Sequence, residues 1–466
     1  MIVDINKNSI RFQTGDANKQ SLIVCLFALL VVCLALRFYV LVQEDPPLSA
    51  DSYSYMTLAQ QIIHLDLTED TGNRTPIYPL FLIALDIDPF RVRLAQMGLG
   101  CLITLLIFFI AWRIIHNQVV ATFIAACHGL YLKQIRFETD VLTETLATFF
   151  IILSLWLFLK AWHRLEIRKG IGWLLPIGIG ISAALAGLTR PVFVFLPILF
   201  GLLLLGFRLK TKSYAVLLFL FLLPAVILNG GWSLFNFLRL GYFGLTTLTG
   251  TNLTNHSGAF IEYAPERYAI IRDIYLDARK KQIEMTGSHV MTIYQAQEQI
   301  AQKTGLTRVQ LSKELTRMSL ELFIDHPLLY GRSVLKSWVD FWNAPKLGSR
   351  EPGVEPSLNQ IGRLARLIYK GQEYFYLLIN ISFLLLVTIA LLVRLILGGR
   401  RPNWTRIGWP LYLMGSVVLV TSVLQAFTES GENARYAMPV QSLVACFVLL
   451  MVWHIKISWH SEVSQR

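Results

Sequence analysis

Long runs of apolar residues constrain the fold of this chain more than any other feature. The runs at 21–42 and 94–115 are each long enough to cross the hydrocarbon core of a bilayer as a helix. Ten such segments can be placed along the sequence, at 21–42, 94–115, 118–134, 140–161, 171–188, 190–207, 213–231, 374–397, 408–428 and 436–456. The segments 171–188 and 190–207 are separated only by a turn at Arg190 and Pro191, which predicts a helical hairpin.

The composition is typical of an integral membrane protein. Hydrophobic residues make up 54% of the 466 residues and charged residues only 15%, against roughly 25% charged residues in soluble proteins. Residues 1–20 are polar, and the run that follows is long enough to be retained as an anchor. All five cysteines lie in apolar runs without metal-ligand spacing, which predicts buried thiols rather than disulfides or a metal site.

The distribution of basic residues predicts the orientation in the membrane. Alternate connections between the apolar runs are basic, whereas the loop after the first run is acidic. The basic residues are Lys7, Arg11, Lys19, Lys160, Arg164, Arg168, Lys169, Arg208, Lys210, Lys212, Arg394, Arg400, Arg401 and Arg406. Because basic loops stay in the cytoplasm, both termini are predicted to be cytoplasmic and the acidic loop extracytoplasmic. The net charge of +12 is therefore attributed to orientation in the cell membrane (inner or plasma), and no nucleic-acid partner is expected.

These patterns predict an all-α polytopic membrane protein with about ten transmembrane helices, juxtamembrane helices in the first outer loop and a small helical extracytoplasmic cap. Residues 1–231 would form a core of seven spans that includes the first outer loop, 43–93. Residues 232–373 would form the cap, and residues 374–466 a region of three spans. Within the cap, helical periodicity is found at 264–280, 292–303 and 309–323, and an aromatic surface helix is predicted at 334–342.

The first outer loop has a pattern that indicates a functional carboxylate. Asp51, Tyr55 and Ala59 recur every four residues and share one helix face, with Ser49 as the predicted N-cap. Leu58, Ile62 and Leu65 would form an apolar stripe on the same helix. A proline-containing turn at 74–79, which begins with Arg74, follows this helix.

Other charged residues are predicted at the same side of the membrane. Asp140 and Glu144 share a helix face and need a cation between them, for which Arg190 or Arg136 is favoured over a divalent metal or a substrate amine. Arg190 and Arg435 lie at outward boundaries, where a guanidinium can hold a lipid phosphate with two parallel hydrogen bonds. The supporting residues predicted beside them are Tyr55, Asp140, Glu144, Glu432 and Tyr436.

The motifs resemble, in order, those of the GT-C glycosyltransferases, among them protein O-mannosyltransferases and lipid A aminoarabinose transferases. The resemblance is carried by Asp51 with Tyr55 and Ala59, Arg-Thr-Pro-Ile-Tyr-Pro at 74–79, Leu-Thr-Glu at 142–144, Gly-Leu-Thr-Arg-Pro at 187–191, Gly-Thr-Asn-Leu at 250–253, His326 with Pro327 and Tyr330, and Arg435-Tyr436 with Pro439. One position departs from the protein mannosyltransferases, which usually have Glu after the loop aspartate where this chain has Ser52.

The resemblance implies an inverting glycosyltransferase that uses a polyprenyl-phosphate-linked sugar, either hexose or pentose, at the extracytoplasmic face. Asp51 would be the catalytic base, and Arg74, Arg190 and Arg435 would bind the donor phosphate. The acceptor would be a lipid, glycan or protein hydroxyl. No cofactor is required by this reading, although a divalent metal is an option.

Two alternatives remain open from the sequence. An oligosaccharide transferase of the O-antigen ligase type would depend on arginine and histidine in the large outer loop, for instance His256 or His326. A transporter or flippase for a lipid-linked substrate would place ionisable or helix-breaking residues near the middle of the membrane. Apart from Pro197 and Pro224, the mid-span positions are mostly apolar or small.

Overall fold

The computed structural model describes residues 16–43, 48–167, 170–204, 211–343, 363–396, 408–431 and 433–463, and within these residues every regular element is helical. Short 3₁₀ segments lie at Pro191–Phe195, Ile261–Tyr263 and Glu266–Tyr268, and a π segment lies at Val226–Gly230. The α-helices are α1 Asp16–Gln43, α2 Ala50–Ile63, α3 Ile77–Ile83, α4 Pro89–Ile115, α5 Gln118–Gly129, α6 Leu132–Thr139, α7 Glu144–Glu166, α8 Leu174–Thr189, α9 Leu196–Leu203, α10 Thr211–Ala225, α11 Gly231–Leu240, α12 Thr249–Ser257, α13 Ala269–Thr286, α14 Thr292–Thr304, α15 Arg308–Asp325, α16 Pro327–Trp342, α17 Arg363–Ile396, α18 Gly408–Thr428, α19 Asn433–Tyr436 and α20 Met438–Val463.

The predicted all-α membrane fold is confirmed, but the count of ten spans is not. Seven helical segments in the described residues are long and apolar enough to cross a bilayer. They are Gln20–Val42, Pro89–Ile115, Glu144–Glu166, Ser213–Leu240, Leu367–Val393, Gly408–Thr428 and Met438–Lys456. The other three predicted spans correspond to the shorter apolar helices Gln118–Gly129, Leu174–Thr189 and Pro191–Leu203.

Several predicted boundaries were wrong for local reasons. The seventh span does not end near residue 231, because a π segment accommodates Pro224 and the helical path continues to Leu240. The segment predicted at 118–134 stops at Gly129, and α6 then forms a separate, buried helix rather than the end of that span. Many of the basic residues that predict the orientation, including Lys7, Arg11 and Arg168, lie outside the described residues.

A polar helical region, residues 246–325, packs on one end of the apolar helices, and we call it the cap. It has its own hydrophobic core, in which Tyr275, Ile300 and Leu322 are fully buried. The three helices predicted for it are present as α13, α14 and α15. Helix α12 was not predicted, because its sequence is polar without apolar periodicity. It packs closely on α15, since a Cβ atom at Gly250 would lie 2.0 Å from the carbonyl oxygen of Ser312.

A buried ion pair joins the first apolar helix to α6. Arg37 donates from Nε and Nη2 to the two carboxylate oxygens of Glu138, both at 2.7 Å. Its third nitrogen, Nη1, donates to the carbonyl oxygens of Cys33 and Gly129, at 3.3 and 3.0 Å. The guanidinium therefore links α1, α5 and α6 within the apolar core.

Gly100 on α4 leaves the space that this ion pair occupies. A Cβ atom at Gly100 would lie 2.1 Å from Oε1 of Glu138, whereas one at Gly98 would meet nothing within 4 Å. We expect Gly100→Ala to lower the free energy of unfolding by about 1–3 kcal/mol, the usual cost of overpacking.

Unfolding of the purified protein by sodium dodecyl sulfate in mixed micelles measures this difference. Gly98→Ala, two residues away on the same helix, is the matched control and should keep or slightly raise the unfolding midpoint, because alanine favours a helix more than glycine does. Equal midpoints for the two variants would contradict the close packing at Gly100.

Candidate active site

Helix α2 positions the carboxylate of Asp51 through its N-terminal cap. The Ser49 hydroxyl accepts a hydrogen bond from the backbone nitrogen of Ser52, and the Ser52 side chain accepts one from the backbone nitrogen of Ser49. Tyr55 and Leu58 are buried on the inner face of the helix, where the Tyr55 ring meets the edge of Tyr78 at 5.0 Å between centroids. The hydrogen bonds of the Ser49 N-cap and the buried face of α2 together fix Asp51 in the first turn of the helix.

The apolar stripe predicted on this helix is only partly present. Leu58 is 2% exposed, but Leu65 lies beyond the end of the helix and is 91% exposed. Leu65 adopts a left-handed backbone conformation with φ of 53°. The helical face therefore stops at Ile62.

Arg74 reaches back from the proline-containing turn to this helix. Its Nη2 lies 2.6 Å from Oδ1 of Asp51, and its Nε donates to the Ser54 hydroxyl at 3.0 Å. The guanidinium also lies over the Tyr55 ring, 4.5 Å from its centroid. Three contacts from one helix therefore hold the Arg74 side chain in place.

The turn that carries Arg74 is itself held by two other regions. The Thr75 hydroxyl donates to the carbonyl oxygen of Thr189 at 3.4 Å, next to Arg190. On the cap side, the hydroxyl of Thr247 lies 2.8 Å from Oδ1 of Asn73. Arg74 therefore sits where the first loop, the Arg190 turn and the cap meet.

Glu144 holds two further arginines at the start of α7. Its Oε1 lies 2.6 Å from Nε of Arg435 and 3.0 Å from Nη1 of Arg190, and its side chain is fully buried. Arg190, one of the two arginines favoured from the sequence, is thus a partner of Glu144, and Arg435 is a second one. The helix face predicted to be shared by Asp140 and Glu144 was wrong, because α7 begins only at Glu144 and Asp140 is extended. Arg190 also lies 5.4 Å from the centroid of the Tyr436 ring.

Arg435 connects the two groups of charges. Its Nη2 lies 3.2 Å from Oδ2 of Asp51, so the Asp51 carboxylate has Arg74 on one oxygen and Arg435 on the other. Burial disfavours the ionised form of Asp51, but the two guanidiniums outweigh it and lower its pKa to about 2. Asp51 is therefore a carboxylate at any physiological pH.

The charged groups open onto a cavity of about 990 Å³. Asp51, Arg74, Arg190 and Arg435 all line it, as do Lys133, Arg136, Asp140, Tyr55 and Tyr436. Leu142, Val192 and Val194 supply part of an apolar wall next to the arginines. The cavity thus combines a dense charged cluster with surface suited to a lipid chain, within the usual size range of ligand sites.

Two residues of the site were not found from the sequence. Glu429 is buried and accepts a hydrogen bond from the Tyr436 hydroxyl at 2.5 Å. Burial raises the pKa of Glu429, although Tyr436 and the nearby arginines lower it. Tyr294 of the cap also lines the cavity. The predicted supporting residue Glu432 lies outside the described residues, and Glu429 is the acidic side chain that the described part places beside Tyr436.

The histidines named for the ligase alternative lie elsewhere. His256 is buried in the cap, with Nδ1 2.8 Å from the Ser333 hydroxyl, and burial lowers its pKa to about 4. His326 ends α15 and packs on the Tyr263 ring at 4.6 Å. Neither is among the described residues that line the cavity.

The residues of the site suit an anion better than a metal ion. Arginines contact both oxygens of Asp51 and Oε1 of Glu144, and their positive charges disfavour a cation at these positions. Over the described ranges, no three His, Cys, Asp or Glu side chains converge as metal ligands.

No family model matches this sequence, and no curated protein does. Two solved structures are similar in fold. The oligosaccharyltransferase AglB from Archaeoglobus fulgidus, in complex with an inhibitory peptide and a dolichol-phosphate, matches with a TM-score of 0.48 and 12% identity over 96% of this chain and 52% of its own. ArnT from Cupriavidus metallidurans, bound to undecaprenyl phosphate, matches with a TM-score of 0.40 and 13% identity over 86% of this chain and 76% of its own.

This chain spans about half the length of the AglB chain that it matches. The likeness concerns the fold, and the activity is inferred below from the contacts within the cavity.

Proposed function

We propose that the protein is an integral-membrane inverting glycosyltransferase. It would take a hexose or pentose from a polyprenyl-phosphate donor and transfer it to an acceptor hydroxyl at the extracytoplasmic face of the cell membrane, with both termini in the cytoplasm. The supporting observation is the Asp51 carboxylate between Arg74 and Arg435 on the wall of a cavity that has both charged and apolar surface. The division into a core, an outer segment that contains the cap, and a C-terminal region that begins after residue 373 belongs to this proposal, with the first boundary moved from residue 231 to the end of the helical span at Leu240.

The arginines supply the site for the phosphate of the donor. Arg190 and Arg435 share the fully buried Glu144, which fixes their positions and offsets part of their charge. Guanidinium groups held in this way can form charge-assisted hydrogen bonds to the phosphate of a donor that enters the cavity. The polyprenyl chain would then lie along the apolar wall near Val192 and Val194.

Asp51 acts on the acceptor. As the acceptor oxygen forms a bond to the anomeric carbon, its proton passes to Asp51 and the bond from the anomeric carbon to the phosphate oxygen breaks. The leaving polyprenyl phosphate keeps the electron pair of that bond, and the arginines stabilise the added negative charge. Attack opposite the leaving group inverts the anomeric centre.

The resting contacts would have to change before this step. A carboxylate with a pKa near 2 is a weak base, and Arg435 is one of its two partners. A donor phosphate beside Arg435 competes with Asp51 for that guanidinium. Donor binding would therefore raise the pKa of Asp51 and make it a better base.

Binding of undecaprenyl phosphate to the purified protein in nanodiscs tests the phosphate site. We expect Arg435→Gln to weaken binding by about 10- to 100-fold, because a charge-assisted hydrogen bond is worth about 1.5–3 kcal/mol. Arg239→Gln is the matched control, since Arg239 pairs with Asp70 and does not line the cavity. Equal affinities for the two variants, or no binding by the wild type, would contradict the proposed donor site.

A further inference from the structure

The wall that the cap contributes to the cavity differs in chemistry from the rest. Among the described cap residues that line the cavity, only Arg308 is charged. The other charged residues of the lining lie outside the cap. The positive charge of Arg308 is offset by Glu298, since Nη2 of Arg308 lies 3.5 Å from Oε2 of Glu298. The wall otherwise consists largely of hydroxyl, amide and apolar side chains around one aromatic ring.

Amide groups on this wall are open to a ligand. Within the described residues, the side chains of Asn252 and Gln297 line the cavity without a hydrogen-bond partner in the protein. Each amide offers two donor hydrogens and an acceptor oxygen. They can therefore bond to neighbouring hydroxyl groups, which both donate and accept.

Tyr294 stands between this neutral wall and the charged cluster. Its side chain lines the cavity and is 38% exposed. Burial raises its pKa, and the charges of Glu429 and Asp51 raise it further while Arg74 lowers it. The phenol is therefore neutral, near the proposed base, and able to offer a hydroxyl and a ring face together.

We propose that this wall binds the acceptor and that the acceptor is a neutral glycan with several free hydroxyl groups. This inference rests on the proposed transferase function and narrows its acceptor class. An anionic lipid or acidic glycan would find no compensating charge on this wall except the paired Arg308. A cavity of about 990 Å³ lies at the upper end of the ligand-site range, which leaves room for sugar units beside the donor.

Saturation-transfer difference NMR on the full chain in nanodiscs, with undecaprenyl phosphate present, tests the acceptor. The probes are the neutral trisaccharides maltotriose, mannotriose, galactotriose and tri-N-acetylchitotriose, together with trigalacturonate and a neutral serine peptide. We expect transfer signals from at least one neutral trisaccharide and none from trigalacturonate or the peptide. Tyr294→Leu should weaken binding of that neutral trisaccharide about three- to tenfold through loss of ring stacking.

Matched variants on α14 separate binding from folding. Gln297→Leu should weaken trisaccharide binding, whereas Gln299→Leu, an exposed residue outside the lining, should not. Undecaprenyl phosphate should bind all three variants with wild-type affinity, which shows that they are folded.

The two proposals fail in different ways. Retained binding of undecaprenyl phosphate with no trisaccharide signal, with equal signals from trigalacturonate, or with no effect of Tyr294→Leu would overturn the glycan acceptor alone. Failure of the wild type to bind undecaprenyl phosphate would overturn the proposed transferase itself.

Discussion

Asp51→Asn should lower the rate of sugar transfer by about 10²- to 10⁴-fold, the contribution expected of a positioned general base. The asparagine side chain has nearly the same shape and can still accept a hydrogen bond from Arg74, but it cannot take the acceptor proton. Because the helix cap at Ser49 and the buried Tyr55 remain, α2 should keep its place. The variant should therefore still insert in the membrane and bind undecaprenyl phosphate.

Mass spectrometry of membrane lipids provides the measurement, since cells with an inactive transferase should accumulate the polyprenyl-phosphate sugar relative to free polyprenyl phosphate. Glu69→Gln is the control, because Glu69 lies in the same loop but is exposed and outside the cavity lining. If purified Asp51→Asn transfers sugar at the wild-type rate, Asp51 is not the base.

The pH dependence of the wild type offers a second readout on the same residue. A base must be ionised to act, so activity is retained above the pKa of Asp51 and lost as the pH falls through it. The kcat/KM profile reports the free enzyme, in which this pKa is about 2, and kcat reports the complex with substrate. If the donor phosphate displaces Arg435 from Asp51, kcat should fall near the ordinary aspartate pKa of about 4 while kcat/KM persists to lower pH. If kcat and kcat/KM instead fell at the same pH, the donor phosphate would not displace Arg435 from Asp51.

The local parts of this site could be predicted from the sequence, because they depend on neighbouring residues. Ser49 predicts a helix start, and the four-residue spacing of Asp51 and Tyr55 predicts a shared face. The turn predicted at 74–79 is only partly present, because Pro76 is the N-cap of α3 and Pro79 lies inside that helix. The sequence also grouped Arg190 and Arg435 on one side of the membrane through the orientation of the loops.

The pairing of the charges could not be predicted in the same way. Arg435 contacts Glu144 across 291 positions of sequence, and no spacing rule connects them. Tyr294 lies on a helix whose polar residues resemble any solvated surface. Glu429 lies in a short polar segment, and hydropathy does not indicate that its side chain is buried.

Hydropathy also conceals structure within the apolar runs. Arg37 is one charged residue in a long apolar helix, so the run average does not reveal it. The break between α5 and α6 falls at Leu130 and Tyr131, which are themselves apolar or aromatic. A window average therefore indicates that a segment is apolar but not where its helix ends or which residue is paired.

Replacing either partner of the Arg37–Glu138 pair should be among the most destabilising changes in this chain. The two side chains are 2% and 0% exposed, so a single replacement leaves an unpaired charge in the apolar core. Loss of one partner from such a pair costs about 3–5 kcal/mol of unfolding free energy. We expect this loss for Arg37→Leu and for Glu138→Leu.

The double variant distinguishes an unpaired charge from lost packing. With both charges removed, leucines can fill much of the space without desolvation, so Arg37→Leu with Glu138→Leu should be more stable than either single variant. Unfolding by sodium dodecyl sulfate in mixed micelles measures all three. Arg91→Leu is the surface control, because Arg91 and Asp86 form an exposed pair expected to contribute at most about 1 kcal/mol.

The Arg37–Glu138 ion pair also supports the cavity, because α6 lies between this ion pair and the cavity. Nε2 of Gln96 donates to the carbonyl oxygens of Glu138 and Asp140, at 2.9 and 2.6 Å, so the end of α6 that carries the pair also carries the cavity wall. A shift of Glu138 would therefore move Asp140. If the double variant were as unstable as the sum of the two single changes, the charges would not be coupled and this account of α6 would be wrong.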